Sequence, residues 1–159
     1  MKRWLLVLGL VAMTGHPLCA RAQDAVSNKP EVTVLRPSAN TLVYHADPNG
    51  HFTIAGSANG APMRFLVDTG ATLVVLTPSD ARAAGIDPHD LVFDQVMRTA
   101  NGTVPAAAMV LRELRVDSIS LGEVRAAVIR KAPESVLGMS FLSRLKSFEM
   151  QRDRLTLYR

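Results

Sequence analysis

An eight-residue stretch that occurs once in the chain, FLVDTGAT at residues 65–72, constrains the fold more than any other feature. Three apolar residues run into the carboxylate of Asp68, and a hydroxyl, a glycine and an alanine follow. This order predicts a buried strand that ends in a tight loop carrying the acid. A buried carboxylate is costly unless it is paired or used, so Asp68 is the candidate catalytic residue.

The first 22 residues have the layout of a secretory signal peptide. Lys2 and Arg3 precede an apolar run at residues 4–13, and the small-residue pattern Ala20-Arg21-Ala22 follows it. The run is shorter than the ~20 residues that a membrane-spanning helix needs. We therefore expect residues 1–22 to be cleaved and the chain to be exported, as a periplasmic or secreted protein. The alternative is an uncleaved segment that anchors it to the inner membrane.

The charge balance gives no support for nucleic-acid binding. Removal of residues 1–22 removes Lys2, Arg3 and Arg21 but no acid, so 18 basic residues become 15 against 14 acidic ones. The net charge then falls from +4 to about +1. The single cysteine, Cys19, is lost as well, so we expect no disulfide and no thiolate metal site. The sequence gives no reason to expect a cofactor.

A change in the residue composition near residue 43 predicts the start of a single domain. Residues 23–42 are polar and contain Pro30 and Pro37, which indicates a flexible leader. Residues 43–159 alternate short apolar stretches with turn residues. Many short strands with one or two short helices predict a mostly-β barrel or closed sheet.

Turn and cap residues set the expected boundaries within this domain. Asn59-Gly60 and Asn101-Gly102 are hairpin signals, because a type I′ turn needs positive φ at both positions. Thr77-Pro78-Ser79-Asp80 predicts a capped helix with a capping box, which Gly85 ends. Two further strands, residues 114–119 and 124–129, are expected around Leu121-Gly122-Glu123.

Hydrolysis of a peptide bond by carboxylates alone needs two of them in one site. One is ionised and takes a proton from water, while the other is protonated and holds the scissile carbonyl. Because two close carboxylates resist ionising together, their pKa values separate as a coupled pair. Gly70 lets the backbone come close and offer its amide, Thr69 offers a hydroxyl, and Ala71 keeps the turn small.

The string LVDTGAT at residues 66–72 resembles the active-site loop of the retropepsin-like aspartic proteases. Downstream, Ser135-Val136-Leu137-Gly138 resembles the second family motif, two apolar residues and a glycine that brace the active-site loop. The hairpin around Asn101-Gly102 lies between the two motifs, where the family carries its flap. The resemblance covers about residues 44–158 and is to the bacterial single-domain subgroup.

The resemblance implies a small closed β-barrel that works as a C2 homodimer on a polypeptide substrate. It implies aspartic endopeptidase activity by a water activated between Asp68 of the two subunits. The other site residues that it implies are the active-site loop Thr69, Gly70 and Ala71, the loop brace Val136, Leu137 and Gly138, and the flap Thr99, Ala100, Asn101, Gly102 and Thr103.

Two departures from the viral members mean that the resemblance does not predict the pocket shape or how the flap closes. The segment before the flap carries the extra helix at residues 77–84, and the flap itself has fewer glycines. Two other interpretations remain. The same barrel could be a non-proteolytic periplasmic dimerisation or peptide-binding module, or the chain could be a pepsin-like fragment that needs a different partner chain.

Overall fold

The computed structural model of the chain describes residues 40–99 and 102–159. The predicted signal peptide, residues 23–39 of the predicted leader, and Ala100 and Asn101 of the predicted flap lie outside the described residues. Within them the chain forms ten strands and two short helices. In chain order these are β1 (Thr41–His45), β2 (Thr53–Ala58), β3 (Ala61–Val67), β4 (Val74–Leu76), α1 (Pro78–Ala83), β5 (Gln95–Thr99), β6 (Gly102–Val116), β7 (Ile119–Ile129), β8 (Val136–Leu137), α2 (Met139–Leu142), β9 (Ser147–Gln151) and β10 (Arg154–Tyr158).

Seven strands form one sheet in the order β2-β3-β8-β4-β7-β6-β5, and three form a second sheet in the order β1-β10-β9. The prediction of a mostly-β chain with one or two short helices is confirmed. β8 lies between β3 and β4, parallel to β3 at Leu66 and Val67 and antiparallel to β4 at Val75. The loop that carries Asp68 connects β3 to β4. The insertion of β8 between these two strands therefore fixes both ends of the loop.

The main hydrophobic core contains side chains from both sheets and both helices. Phe65 of β3, Leu114 of β6, Phe141 of α2 and Leu157 of β10 are fully buried in it. Burial of one such side chain stabilises the fold by about 1.5–3 kcal/mol. The strand that leads into Asp68 is therefore fixed by packing along its length, as its apolar sequence predicts.

Both hairpins predicted from Asn-Gly are present, but the glycine lies in the turn of the first hairpin and in a strand of the second. Asn59 and Gly60 have φ of 51° and 88° and form the two-residue turn between β2 and β3, as a type I′ turn requires. In the second hairpin, β5 and β6 pair as far as Thr99 and Gly102. Gly102, with φ of 105°, is thus the first residue of β6 and not part of the turn.

The prediction of two strands at residues 114–119 and 124–129 is wrong. β6 continues to Val116, β7 begins at Ile119, and the turn between them is Asp117-Ser118. Asp117 has φ of 50°, a conformation that aspartate tolerates better than most residues do. Gly122 lies inside β7, opposite Glu113.

Helix α1 begins and ends where its sequence predicts. Thr77 caps it, since its Oγ1 accepts a hydrogen bond from the backbone N–H of Asp80 at 3.1 Å. Gly85 follows the last turn with φ of 77°, and the N–H of Ile86 donates a hydrogen bond to the carbonyl of Ala81 at 2.9 Å. Neither helix of the described part of the chain is long and apolar enough to span a membrane.

A hydrogen-bonded glutamate across β6 and β7 makes the stability of the fold depend on pH. The Glu113 carboxylate accepts bonds from Ser120 Oγ at 2.5 Å and Arg115 Nη2 at 2.9 Å, and these lower its pKa. A group whose pKa is lower in the folded state contributes stability above its unfolded pKa, and this stability is lost as the pH falls through the folded pKa. Glu113→Gln should remove this contribution.

We therefore expect the urea midpoint of Glu113→Gln to fall less than that of the parent between about pH 6 and pH 3. Glu123→Gln is the matched control, because this exposed glutamate of β7 makes no side-chain hydrogen bond to a described residue. Identical pH profiles for the parent and Glu113→Gln would show that the Glu113 carboxylate does not contribute pH-dependent stability.

Candidate active site

Asp68 follows the buried end of β3, but its side chain is exposed at the start of a tight loop and not buried as its sequence context suggested. The backbone N–H of Gly70 donates to its Oδ1 at 2.7 Å, and the N–H of Ala71 donates to its carbonyl at 3.2 Å. A Cβ at position 70 would lie 3.1 Å from that same carboxylate oxygen. Glycine at this position thus lets the amide orient the carboxylate without crowding it.

The predicted brace residues lie directly against this loop. The carbonyl of Leu137 accepts a hydrogen bond from the N–H of Asp68 at 3.2 Å, and the N–H of Met139 donates to the carbonyl of Ala71 at 2.7 Å. A Cβ on Gly138 would lie 2.1 Å from the carbonyl oxygen of Leu73. A residue without a side chain is therefore required where the two segments cross.

A serine that the sequence analysis missed extends this contact into the sheet. Ser140 Oγ donates to the carbonyl of Arg125 in β7 at 2.7 Å and accepts from the N–H of Val74 in β4 at 2.9 Å. Its backbone N–H also donates to the carbonyl of Thr72 at 2.9 Å. One residue thus connects α2 to both sides of the loop end.

A second serine, Ser135, connects β8 to the start of α1. Its buried hydroxyl accepts from the N–H of Thr77 at 3.1 Å and donates to the carboxylate of Asp80. In the predicted capping box, Asp80 would itself accept from the N–H of the capping residue. The structure corrects this: the Ser135 hydroxyl stands between the two groups. The helix inserted after β4 is therefore tied to the brace segment.

A cleft of about 1110 Å³ opens beside Asp68 and runs under the β5–β6 hairpin. Its floor is apolar and includes Leu66, Leu73, Val75, Ile129 and Val136. A small cluster beneath it packs Val75, Ala106, Ala127 and Ile129 against Met97 and Val104 of the hairpin. The cleft can hold an extended apolar segment against Asp68.

The structure brings together the loop residues 68–71, the brace residues 136–138 and both strands of the hairpin predicted as a flap. Met97, Arg98 and Thr99 of β5 and Val104 of β6 line the cleft with Asp68. Thr99 Oγ1 donates to the carbonyl of Gly102 at 2.9 Å, which closes the hairpin below its turn. The hairpin predicted as a flap therefore lies at the cleft, although its turn is outside the described residues.

The charged residues of the cleft were not identified from the sequence. Arg98, Arg125, Lys131 and Glu134 all line it, yet they come from β5, β7 and the β7–β8 connection, so no local motif joins them. In the part of the chain that the structure describes, no group of three or more His, Cys, Asp and Glu side chains could hold a metal ion.

Comparisons with known sequences agree with this geometry. The family model described as "gag-polyprotein putative aspartyl protease" matches residues 54–144, more than half of the chain. An uncharacterized protein from the cobV 5′ region of Sinorhizobium sp is 40% identical over 111 residues, which are 69% of this chain and 48% of that protein. An uncharacterized protein of Rickettsia prowazekii (strain Madrid E) is 34% identical over 117 residues, 73% of this chain and 50% of that protein. The chain spans about half the length of these relatives.

Solved structures that are similar to the chain include two proteases. The crystal structure of a retropepsin-like aspartic protease from Rickettsia conorii matches with a TM-score of 0.68 and 32% identity, covering 76% of this chain and 100% of that one. The EIAV protease complexed with the inhibitor HBY-793 matches with a TM-score of 0.52 and 20% identity, covering 62% and 91%. At this lower identity the likeness shows the fold alone.

The crossing at Gly138 gives a direct test of the brace. Gly138→Ala should lower the free energy of unfolding by about 3 kcal/mol or more, because the added methyl group meets two backbone carbonyls that side-chain motion cannot clear. Gly122→Ala is the matched control, since its Cβ would lie 3.4 Å from the carbonyl of Arg112 and should cost about 1 kcal/mol or less. Urea denaturation followed by far-UV circular dichroism measures the free energy of unfolding of both variants. Equal losses in the two variants would contradict the close crossing.

Proposed function

The chain belongs to the retropepsin-like family of aspartic proteases, and we propose that it is an aspartic endopeptidase that works as a symmetric homodimer. The observation that carries the proposal is the position of Asp68. Its carboxylate is held by the Gly70 amide, exposed, and at the edge of a cleft with an apolar floor. A polypeptide in that cleft would lie within reach of the acid.

The proposed reaction needs a second carboxylate, which Asp68 of a second copy would supply. The ionised member of the pair takes a proton from a water molecule, and the protonated member donates a hydrogen bond to the scissile carbonyl. The water oxygen bonds to the carbonyl carbon, and the tetrahedral intermediate collapses as the C–N bond breaks. The leaving nitrogen takes a proton from the carboxyl group, so the pair ends with one proton, as it began.

A single Asp-Thr-Gly in the chain supports the homodimer. In an isologous pair, each residue near the twofold axis meets its own copy. Asp68 and Thr69 are both exposed at the tip of the loop, so a symmetric contact there would bring two carboxylates together. Thr69 is then the residue whose hydroxyl spans the junction, and Gly70 and Ala71 keep the loop narrow enough for two copies to fit.

The proposal assigns the remaining predicted residues to support and closure. Val136, Leu137 and Gly138 hold the loop from below through the backbone contacts at Asp68 and Ala71. The hairpin at residues 99–103 covers the bound polypeptide as a flap. We also propose that the sheet closes into a small barrel, which the pairing of β2 with β6 at Ser57 and Ala58 supports.

Export of the chain is part of the proposal and rests on residues 1–22. An exported protease would meet polypeptides in the periplasm or outside the cell, and a retained N-terminal segment would hold it at the inner membrane instead. A mass spectrum of the protein from cell fractions gives its N-terminus and distinguishes the two.

Replacement of the proposed catalytic acid tests the activity. Asp68→Asn should reduce cleavage of denatured casein at acidic pH by at least about 10³-fold, because the amide can neither take nor give the proton. Asp90→Asn, an exposed aspartate in the connection after α1, is the control and should cleave like the parent. Unchanged circular dichroism of Asp68→Asn shows that the fold is retained, and residual cleavage at the parent's rate would overturn the assignment.

Sedimentation tests the pairing and separates the protease from a non-proteolytic module. The chain without residues 1–22 should sediment as a dimer, and a peptide with a hydroxyl group at the scissile position should shift it further toward the dimer, because such a peptide binds the two-carboxylate site. A protein that stays monomeric with and without that peptide would favour the alternative, a non-proteolytic periplasmic dimerisation or peptide-binding module.

A further inference from the structure

The lining of the cleft combines an apolar floor with a charged rim. Three cations line it from three parts of the chain: Arg98 of β5, Arg125 of β7, and Lys131 in the connection after β7. Among the described residues, Glu134 is the one acid that lines the cleft with Asp68. Apart from Asp68, the described lining therefore carries more positive than negative charge.

These three cations are open to a ligand. All three are exposed, and neither of the two ion pairs among residues 40–99 and 102–159, His51–Asp47 and Arg115–Glu113, includes them. Their neighbour Arg130 is different, since its guanidinium lies 3.7 Å from the ring centroid of Phe93 and it does not line the cleft.

The charge of the cleft lining differs from the charge balance of the whole chain. Without residues 1–22 the chain has 15 basic and 14 acidic residues, which is close to balance. Exposed acids such as Asp87, Asp90 and Asp94 lie in the connection between α1 and β5, outside the cleft lining. A nearly neutral chain thus presents an excess of cations where a substrate would bind.

We propose that the cleft selects polypeptides in which acidic side chains flank a short apolar stretch, a specificity that rests on the protease function proposed above. The floor would take the apolar residues next to the scissile bond, and Arg98, Arg125 and Lys131 would pair with carboxylates further along the substrate. Charges beside an apolar wall interact more strongly than in open water, because the wall excludes solvent.

The two acids of the cleft explain why the acidic residues belong at the flanks. Asp68 and its symmetry mate carry one negative charge at the centre of the proposed site, and Glu134 adds another on the wall. A substrate carboxylate next to the scissile bond would be repelled by these groups. In a symmetric pair the same three cations stand on both sides of the centre, so both flanks should prefer acidic residues.

Two peptides with the same cleaved apolar stretch test the proposal, one flanked on each side by glutamate and the other by glutamine. The stretch is taken from a bond that the protein cleaves in casein. At pH 5.5 we expect kcat/KM to be about tenfold higher for the glutamate peptide, from several exposed charge pairs. The ratio should approach one near pH 3.5, where the substrate carboxylates are mostly protonated, and should fall as salt is added.

Single variants test whether the cations of the cleft cause the preference for the glutamate peptide. Arg98→Gln and Lys131→Gln should each lower the glutamate-to-glutamine ratio about threefold at pH 5.5. Arg112→Gln, an exposed arginine of β6 outside the cleft lining, should leave both rates unchanged. Equal cleavage of the two peptides by the parent overturns the specificity and leaves the protease function standing. No cleavage of casein or of either peptide overturns the protease function, and the specificity falls with it.

Discussion

The backbone contact between the Asp68 loop and the β8–α2 segment is the interaction on which the rest of the structure depends. Two short stretches about seventy residues apart in the chain exchange hydrogen bonds at Asp68, Leu137, Ala71 and Met139. Gly138 lies at the crossing, where a Cβ would meet carbonyl oxygens. Because β8 is inserted between β3 and β4, this contact also sets the order of the central strands. The same packing that forms the sheet thus fixes the acid.

A loop held this firmly presents its carboxylate in one orientation while leaving it exposed. Exposure suits the proposed mechanism, in which Asp68 meets the same residue of a second copy and the pair of carboxylates forms on association. The apolar floor and the β5–β6 hairpin form the cleft beside it. The cations that line the cleft would add the charge preference that we propose for its substrates.

Short-range signals in the sequence predicted the parts of the fold that local chemistry decides. Asn59-Gly60 forms the expected turn, Thr77 caps α1, and the apolar run before Asp68 is a buried strand. The β6–β7 turn was placed wrongly because Gly122 is the better turn former in isolation, whereas the long pairing of β6 with β7 moves the turn to Asp117. The roles of Ser135, Ser140 and the rim cations depend on partners distant in the chain, so no local pattern could reveal them.

The central claim is that each active site uses Asp68 from two copies of the chain, and mixing of subunits tests it most directly. Parent protein and Asp68→Asn would be combined at constant total concentration, allowed to exchange, and assayed for peptide cleavage. If both copies are needed, an equal mixture has about a quarter of the parent activity, because random pairing gives that share of intact dimers. Activity of about half, falling in proportion to the parent fraction, would contradict the account, since each chain would then act by itself.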